Sequence, residues 1–375
     1  MHTHVKRRDF LRGAGAGVAL GSAASLPLLR AHAFAAAGAT LTPPVVDHLA
    51  VRVVLDTTHD IFINADPHPM VAIERTRTLV NPKRLTLGGE WGLSLHLESM
   101  RGTETRRYLL DFGYTPEVLN RNIELLNVDP AQLDGLILSH GHLDHYGGLV
   151  GFLDKHREQM RPDLKLFAGG ETNFCYSYVK PPGKDQPVLF GVLDRRDLAK
   201  AKVETVLCET PHVAGDAFTS GHIERASFER VLPNTLAEAG QHDGAGCAAD
   251  HFTAEERAGK IVADLHHDEH ATCYVVNNRG LVVITSCGHT GFINTVETAR
   301  RVSGVNKLHA LIGGVHLAPA PKDYVVQAVA ELKKLDPDVV IPMHCSGANF
   351  IDAMRQQMPE KLVLSTVGSR FTFGA

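Results

Sequence analysis

The sequence predicts a layered α/β fold, and two observations carry that expectation. The second half repeats one unit three times: a short apolar strand, a turn bearing a histidine, and a helix. The first half places a His-x-His-x-Asp-His block, His140 to His145, directly after the apolar run Leu133–Leu138. Strands alternating with helices indicate α/β layering. In such sheets ligands gather beyond the carboxyl ends of the strands. One histidine after one strand is weak evidence; three, added to the block, predict a site.

Residues 1–35 read as an export segment rather than as part of the fold. Lys6-Arg7-Arg8-Asp9-Phe10-Leu11-Arg12 precedes a weakly apolar run, Gly13–Leu29, and small-residue cleavage patterns, Ala31-His32-Ala33 and Ala33-Phe34-Ala35. Paired arginines before Asp-Phe-Leu resemble a twin-arginine signal, so the export machinery is an expected partner of the precursor and the mature protein is expected in the periplasm or outside the cell. The run is too rich in Gly and Ala for a comfortable membrane span, and no other stretch is long and apolar enough to be one. The segment holds Lys6, Arg7, Arg8, Arg12 and Arg30 against Asp9, so its removal takes the formal charge from −4 to −8. That balance argues against nucleic acid or an anionic membrane as partner and leaves a small-molecule substrate. Six cysteines remain, Cys175, Cys208, Cys247, Cys273, Cys287 and Cys345. An oxidising compartment permits disulfides whose pairing cannot be read from sequence, and Cys287 and Cys345 lie in motif turns where a structural staple is not expected.

Residues 36–375 are ample for a single domain with insertions. Asp47–Thr58 and Leu93–Ser99 read as strands, the second from the alternation Leu93-Ser94-Leu95-His96-Leu97-Glu98. Arg106–Gly113 is a third strand with Asp111 at its end, and Thr115–Asn127 a helix. After the histidine block, Gly147–Leu153 leads into another helical stretch. Between about residues 171 and 264 the pattern weakens, with loops at Pro181–Asp185 and Gln241–Cys247, which predicts a cap elaborated over the site. The histidines in it and just beyond it, His266 among them, are each expected to be exposed or ordinarily hydrogen-bonded. Gly280–Thr285, Leu308–Ile312 and Val339–Pro342 are the three later strands. Their turns carry Ser286-Cys287-Gly288-His289, Gly313-Gly314-Val315-His316 and His344-Cys345-Ser346-Gly347. Helices over Phe292–Val302, over Lys322–Leu335 and up to Met358 follow them.

Imidazole nitrogen and carboxylate oxygen are ligands that zinc and similar divalent ions favour, and the turn Ser139–Gly148 supplies four. His140 and His142 can point to one side while Asp144 and His145 fold towards a second ion. The block resembles the metal-binding signature of the metallo-β-lactamase superfamily. That resemblance implies an αββα four-layer sandwich with an inserted cap region and one or two metal ions. The later turns, together with Gly92-Leu93-Ser94, resemble the superfamily branch of 7,8-dihydropterin-6-methyl-4-(β-D-ribofuranosyl)aminobenzene-5′-phosphate synthase. Trp91 stands where that branch leads one to expect histidine.

The resemblance implies His140, His142 and His289 on one ion, Asp144, His145 and His344 on a second, and Asp111 supporting the loop from behind. Two divalent ions are expected, zinc first, with manganese or iron as alternatives. No aspartate stands where a bridging ligand is expected; Cys287 or Gly314 falls there. Asp144 is the candidate to orient the nucleophilic water and accept its proton. His316 is open between ligand, general acid and substrate contact. Ser346 and Gly347, before a helix N-terminus, and Lys184 in the cap are candidate contacts for a substrate anion. The expected reaction is metal-assisted hydrolysis of a phosphoester or phosphodiester. A lactone or other cyclic ester or amide comes second, and a pterin- or metal-binding protein without turnover third. No Gly-x-Ser-x-Gly elbow supports serine catalysis.

Overall fold

In the computed structural model, the described residues are 40–374 apart from 78–81, 182, 233–234 and 259. The export segment at residues 1–35 therefore lies outside the described residues. Two sheets form the centre. One has eight strands, in the order Glu204–Leu207, Lys165–Ala168, Gly135–Leu138, Glu104–Leu110, Ser94–Arg101, His48–Leu55, Ser369–Phe373 and Ala72–Arg75. The other has seven, running His212–Ala214, Ala217–Thr219, Thr272–Val276, Gly280–Thr285, Leu308–Gly313 and Val339–Pro342, with Val45–Val46 beside Thr272–Val276.

Period-two alternation explains why these sheets stack between helices, since successive side chains must serve opposite faces. From His48–Leu55, Leu49, Val51 and Val53 point into the layer between the sheets, while Val54 joins the outer core. From Gly280–Thr285, Val282 and Ile284 enter that same central layer, whereas Leu281 and Val283 turn outward. The outer core of the first sheet is closed by the helices Pro116–Leu125 and Leu149–His156 through Leu119, Ile123, Leu149 and Phe152. Phe292–Ser303, Lys322–Leu335 and Ala348–Gln357 close the second through Val296, Val329 and Phe350. Three apolar layers between four of secondary structure make the αββα sandwich.

Parallel register then collects the site. Thr285 lies opposite Gly313, and Gly313 opposite Pro342, so three strands end in line and their turns are neighbours. In the first sheet Leu110 pairs with Ile137 and Leu138 with Ala168, which aligns the ends carrying Asp111 and Ser139.

The tract at about 171–264 is more divided than a cap. Glu204–Leu207 extends the first sheet, and His212–Ala214 with Ala217–Thr219 extends the second. Only the rest is additional: a four-stranded sheet of Ile261–Ala263, Thr235–Glu238, Tyr176–Val179 and Val188–Gly191, and the hairpin Gly240–His242/Ala245–Cys247. A Cys175–Cys247 disulfide ties that hairpin to the added sheet, while Cys208, Cys273, Cys287 and Cys345 are free and buried. Among the described residues no helix is long and apolar enough to cross a membrane.

Candidate metal centre

The first half of the centre is built on Asp111. It follows its strand in the left-handed region, φ 58°, and is fully buried. Its Oδ1 accepts from the Ser139 backbone N–H at 2.8 Å, and its Oδ2 accepts from Ser139 Oγ at 2.8 Å and from His145 Nδ1 at 2.8 Å. Because the Ser139 hydroxyl is spent on Asp111, its oxygen accepts from His140 Nδ1, 2.9 Å away. Each bond fixes a tautomer: both rings carry the proton on Nδ1 and present the Nε2 lone pair, the form a metal requires.

Those lone pairs converge with others. His140, His142 and His289 bring one ring nitrogen each within 4.8 Å of one another, as Asp144, His145 and His344 do with their own ligand atoms. The ring centres of the first triad are 4.7 to 5.0 Å apart. In the second, Asp144 Oδ2 lies 3.3 Å from His344 Nε2 and 3.8 Å from His145 Nε2. The triads abut, with the His140 and His145 ring centres 4.2 Å apart. Burial, joined by the crowd of neighbouring rings, holds the His140 and His289 pKa values well below the ordinary range, so both are neutral. Burial alone would raise the Asp144 carboxyl, but His145 and His344 together hold it well below its ordinary value.

The second half reaches the centre through single residues braced by carboxylates. Glu269 accepts from His289 N–H at 2.8 Å and from Thr290 N–H and Oγ at 2.7 Å, which shapes the turn carrying His289. Its neighbour Asp268 accepts from Gly141 N–H at 2.8 Å, inside the histidine block. This acidic pair thus joins the two halves. Asp56, ending the strand His48–Leu55, accepts from His344 N–H at 2.8 Å. Burial pushes the Asp56 carboxyl up to about 6 against the pull of those donors. Asp111, His266, His316 and His344 all have φ between 45° and 58°. Backbone held there costs about 1–3 kcal/mol per residue and clusters at functional sites.

Sequence reasoning missed Asp264 and His266. His266 is buried rather than exposed, and its Nε2 makes an ordinary hydrogen bond with Thr235 Oγ1 at 3.0 Å, the other expectation; its ring also stacks on His289 at 3.9 Å, and Asp264 Oδ2 lies 3.6 Å from its Nδ1 and 3.7 Å from His142 Nε2. Asp56 was also missed, although it shares with Asp111 the signal of an aspartate closing an apolar strand. Cys287 falls between the triads, its sulfur within 4.8 Å of ring nitrogens of both His140 and His145. His316 sits beside it with its ring centre 4.0 Å from that of His289.

The expected substrate contacts are placed unevenly. The Ser346 hydroxyl donates to the carbonyls of Met343, at 2.7 Å, and Gly313, so its position serves the turn. Gly347, at φ 81°, is the N-cap of Ala348–Gln357, and a Cβ there would lie 2.5 Å from the Ala318 backbone. Both line a cavity of about 320 Å³ against His344 that also contains Arg355. Lys184 is exposed in the turn joining Tyr176–Val179 to Val188–Gly191; in that hairpin it is Phe190 that approaches the centre, 6.0 Å from the His142 ring. Trp91, half exposed, stands 4.8 Å from the ring of His344. Two aromatic side chains therefore flank the histidines.

Among the described residues, Nε2 of His140, His142, His145 and His289, both ring nitrogens of His344 and Oδ1 of Asp144 are buried without a hydrogen-bond partner. Each such atom costs about 1–3 kcal/mol when left unsatisfied. Divalent ions held by the two triads would satisfy all of these except Asp144 Oδ1 and one nitrogen of His344, so this donor set fits the metal centre that the fold implies.

The profile of the Metallo-beta-lactamase superfamily matches residues 100–159, which include Asp111 and the histidine block. A Methanocaldococcus jannaschii protein named 7,8-dihydropterin-6-methyl-4-(β-D-ribofuranosyl)-aminobenzene-5′-phosphate synthase is 29% identical over 276 residues, 72% of this chain and 85% of that protein. An uncharacterized protein of the same archaeon is 26% identical over 261 residues, 67% of this chain and 83% of its own length. Among solved structures, Tm1679, described as a metal-dependent hydrolase of the β-lactamase superfamily, superposes with a TM-score of 0.60 at 17% identity, covering 86% of this chain and 98% of that one. The chain thus carries a segment similar to the metallo-β-lactamase superfamily and shares the αββα fold of Tm1679.

Proposed function

We propose that the protein is a metal-dependent hydrolase that directs a metal-activated water at a phosphoester or phosphodiester of a small molecule. The observation carrying this reading is the pair of abutting triads whose buried lone pairs lack partners. Two divalent ions, zinc first, with manganese or iron as alternatives, would supply an acidified water and polarise a phosphoryl oxygen. Asp144 Oδ1 is the free acceptor that orients the water and takes its proton. The N–H groups that open the helix at Ala348, with Arg355 in the adjoining cavity, favour an anionic group. Trp91 and Phe190 offer flat faces to an attached ring. The synthase name of the M. jannaschii relative supports a phosphate-bearing, ring-containing substrate class.

Turnover of a chromogenic phosphodiester, abolished by chelator and restored by zinc, tests the reading. Hydrolysis of a lactone instead, indifferent to inorganic phosphate, would replace the substrate class. Metal binding with no turnover of either would leave a binding protein.

We further propose that the mature protein is exported through the twin-arginine route. The arginine pair and the chain's disulfide support this. Arg7→Lys with Arg8→Lys is expected to hold the precursor in the cytoplasm; unchanged export would overturn the route.

A further inference from the structure

Beside the histidine triads lies a second kind of ligand set. Cys287, His316 and Cys345 come one each from the turns after Gly280–Thr285, Leu308–Gly313 and Val339–Pro342, the three parallel strands whose ends are in register. Cys287 Sγ is 3.2 Å from Cys345 Sγ and 3.3 Å from His316 Nδ1, and all three ligand atoms lie within 4.8 Å of one another. Both thiols are buried. The surroundings keep the space open: a Cβ on Gly314 would come within 2.8 Å of Cys345 Sγ.

We propose that Cys287, Cys345 and His316 form a separate, thiolate-rich metal site that takes a borderline or soft ion such as zinc, with the fourth position left to water or substrate. Two thiolates and an imidazole are the ligand set such ions prefer, and three protein ligands leave a tetrahedral ion one open position. Distances separate this from a disulfide. Zinc–sulfur and zinc–nitrogen bonds place tetrahedral ligands about 3.8 Å apart for two sulfurs and about 3.5 Å for sulfur and nitrogen. The observed 3.2 and 3.3 Å need the ligands to spread by a few tenths of an ångström. A disulfide would instead pull the sulfurs together by more than about 1 Å, to roughly 2.05 Å. It would also leave the approach of His316 Nδ1 to Cys287 unexplained. Cys287 further lies near His140 and His145, so the competing assignment is a bridge within the histidine centre. Cys345 and His316 distinguish the two, because neither groups with those histidines. The proposal reaches beyond hydrolysis and stands whether or not the protein turns substrate over.

The test is cobalt substitution of the full-length protein. Wild type should show a thiolate-to-cobalt charge-transfer band and, by elemental analysis, one equivalent of metal more than Cys345→Ser or His316→Ala. The band should fall in Cys345→Ser and survive in His140→Ala, whose histidine centre is damaged. Absence of the band from wild type, or a Cys287–Cys345 disulfide in the native protein, would overturn the proposal even if the variants do not fold. A band that survives Cys345→Ser and is lost only in Cys287→Ser would overturn it too, making Cys287 a bridge of the histidine centre alone.

Discussion

The two halves of the sandwich supply the same chemistry by different routes. In the first half one turn carries His140, His142, Asp144 and His145, and a single carboxylate, Asp111, fixes two of their tautomers through Ser139 and His145. In the second half each strand end contributes one histidine, and separate carboxylates, Glu269 and Asp56, hold two of the turns that carry them. A locally encoded half and a topologically assembled half should fail differently. Damage to the first should act on several ligands at once, damage to the second on one.

The largest expected effect is from Asp144→Ala. Its carboxylate groups with His145 and His344, and its Oδ1 is a buried acceptor without a hydrogen-bond partner among the described residues. Loss of kcat by about 10²–10⁴-fold, with at least one equivalent of metal lost and the circular dichroism unchanged, is the expected outcome. Full activity in metal-replete buffer would remove Asp144 from the mechanism.

Next come the two braces. Asp111→Asn should weaken metal binding by about 10–100-fold and disturb both triads, because an amide cannot accept all the bonds that Asp111 does. Glu269→Gln should act on the His289 triad alone, with a comparable affinity loss there and a normal second equivalent. Calorimetric metal titrations of both variants check this, and equal damage to both equivalents in Glu269→Gln would break the comparison.

The added sheet should matter to stability more than to chemistry. Cys175 and Cys247 are 72 residues apart, and a loop of that size gives their disulfide up to about 4 kcal/mol on the chain-entropy account. Cys175→Ser with Cys247→Ser should lower the unfolding midpoint while leaving metal content unchanged.

Glu229 offers a pH-dependent variant of that contrast. Burial raises its carboxyl to about 7, although it accepts from the N–H groups of Ile293 and Asn294 at the start of their helix. A folded-state value above the unfolded one means its contribution is complete below about pH 4.5 and is lost as pH rises through about 7. Glu229→Gln should flatten the stability profile across that window, by at most about 3 kcal/mol. The smallest effect is at Lys184, whose exposed turn predicts that Lys184→Ala raises KM slightly with kcat unchanged.

The same contrast explains what could be read from the sequence. The histidine block was legible because its candidate ligands are adjacent, and Asp111 because an aspartate before Phe112-Gly113 closes a visible apolar strand. Lys322–Leu335 was found at its observed bounds because its helical periodicity is strong, and Val339–Pro342 because it is an unbroken apolar run ended by proline. Asp56, Asp264 and His266 were not found as site residues. Their neighbours in space are remote in sequence, and nothing local distinguishes His266 from the other histidines of its tract. The added sheet was hidden because its strands have only three or four residues, too few for alternation to show.

The central claim is that the two histidine-bearing triads each hold an ion. Anomalous scattering at the metal edge from crystals of the zinc-loaded protein tests it most directly. The account predicts one peak among His140, His142 and His289 and a second among Asp144, His145 and His344. Empty triads under saturating zinc, or a peak only among His142, Asp264 and His266, would contradict it.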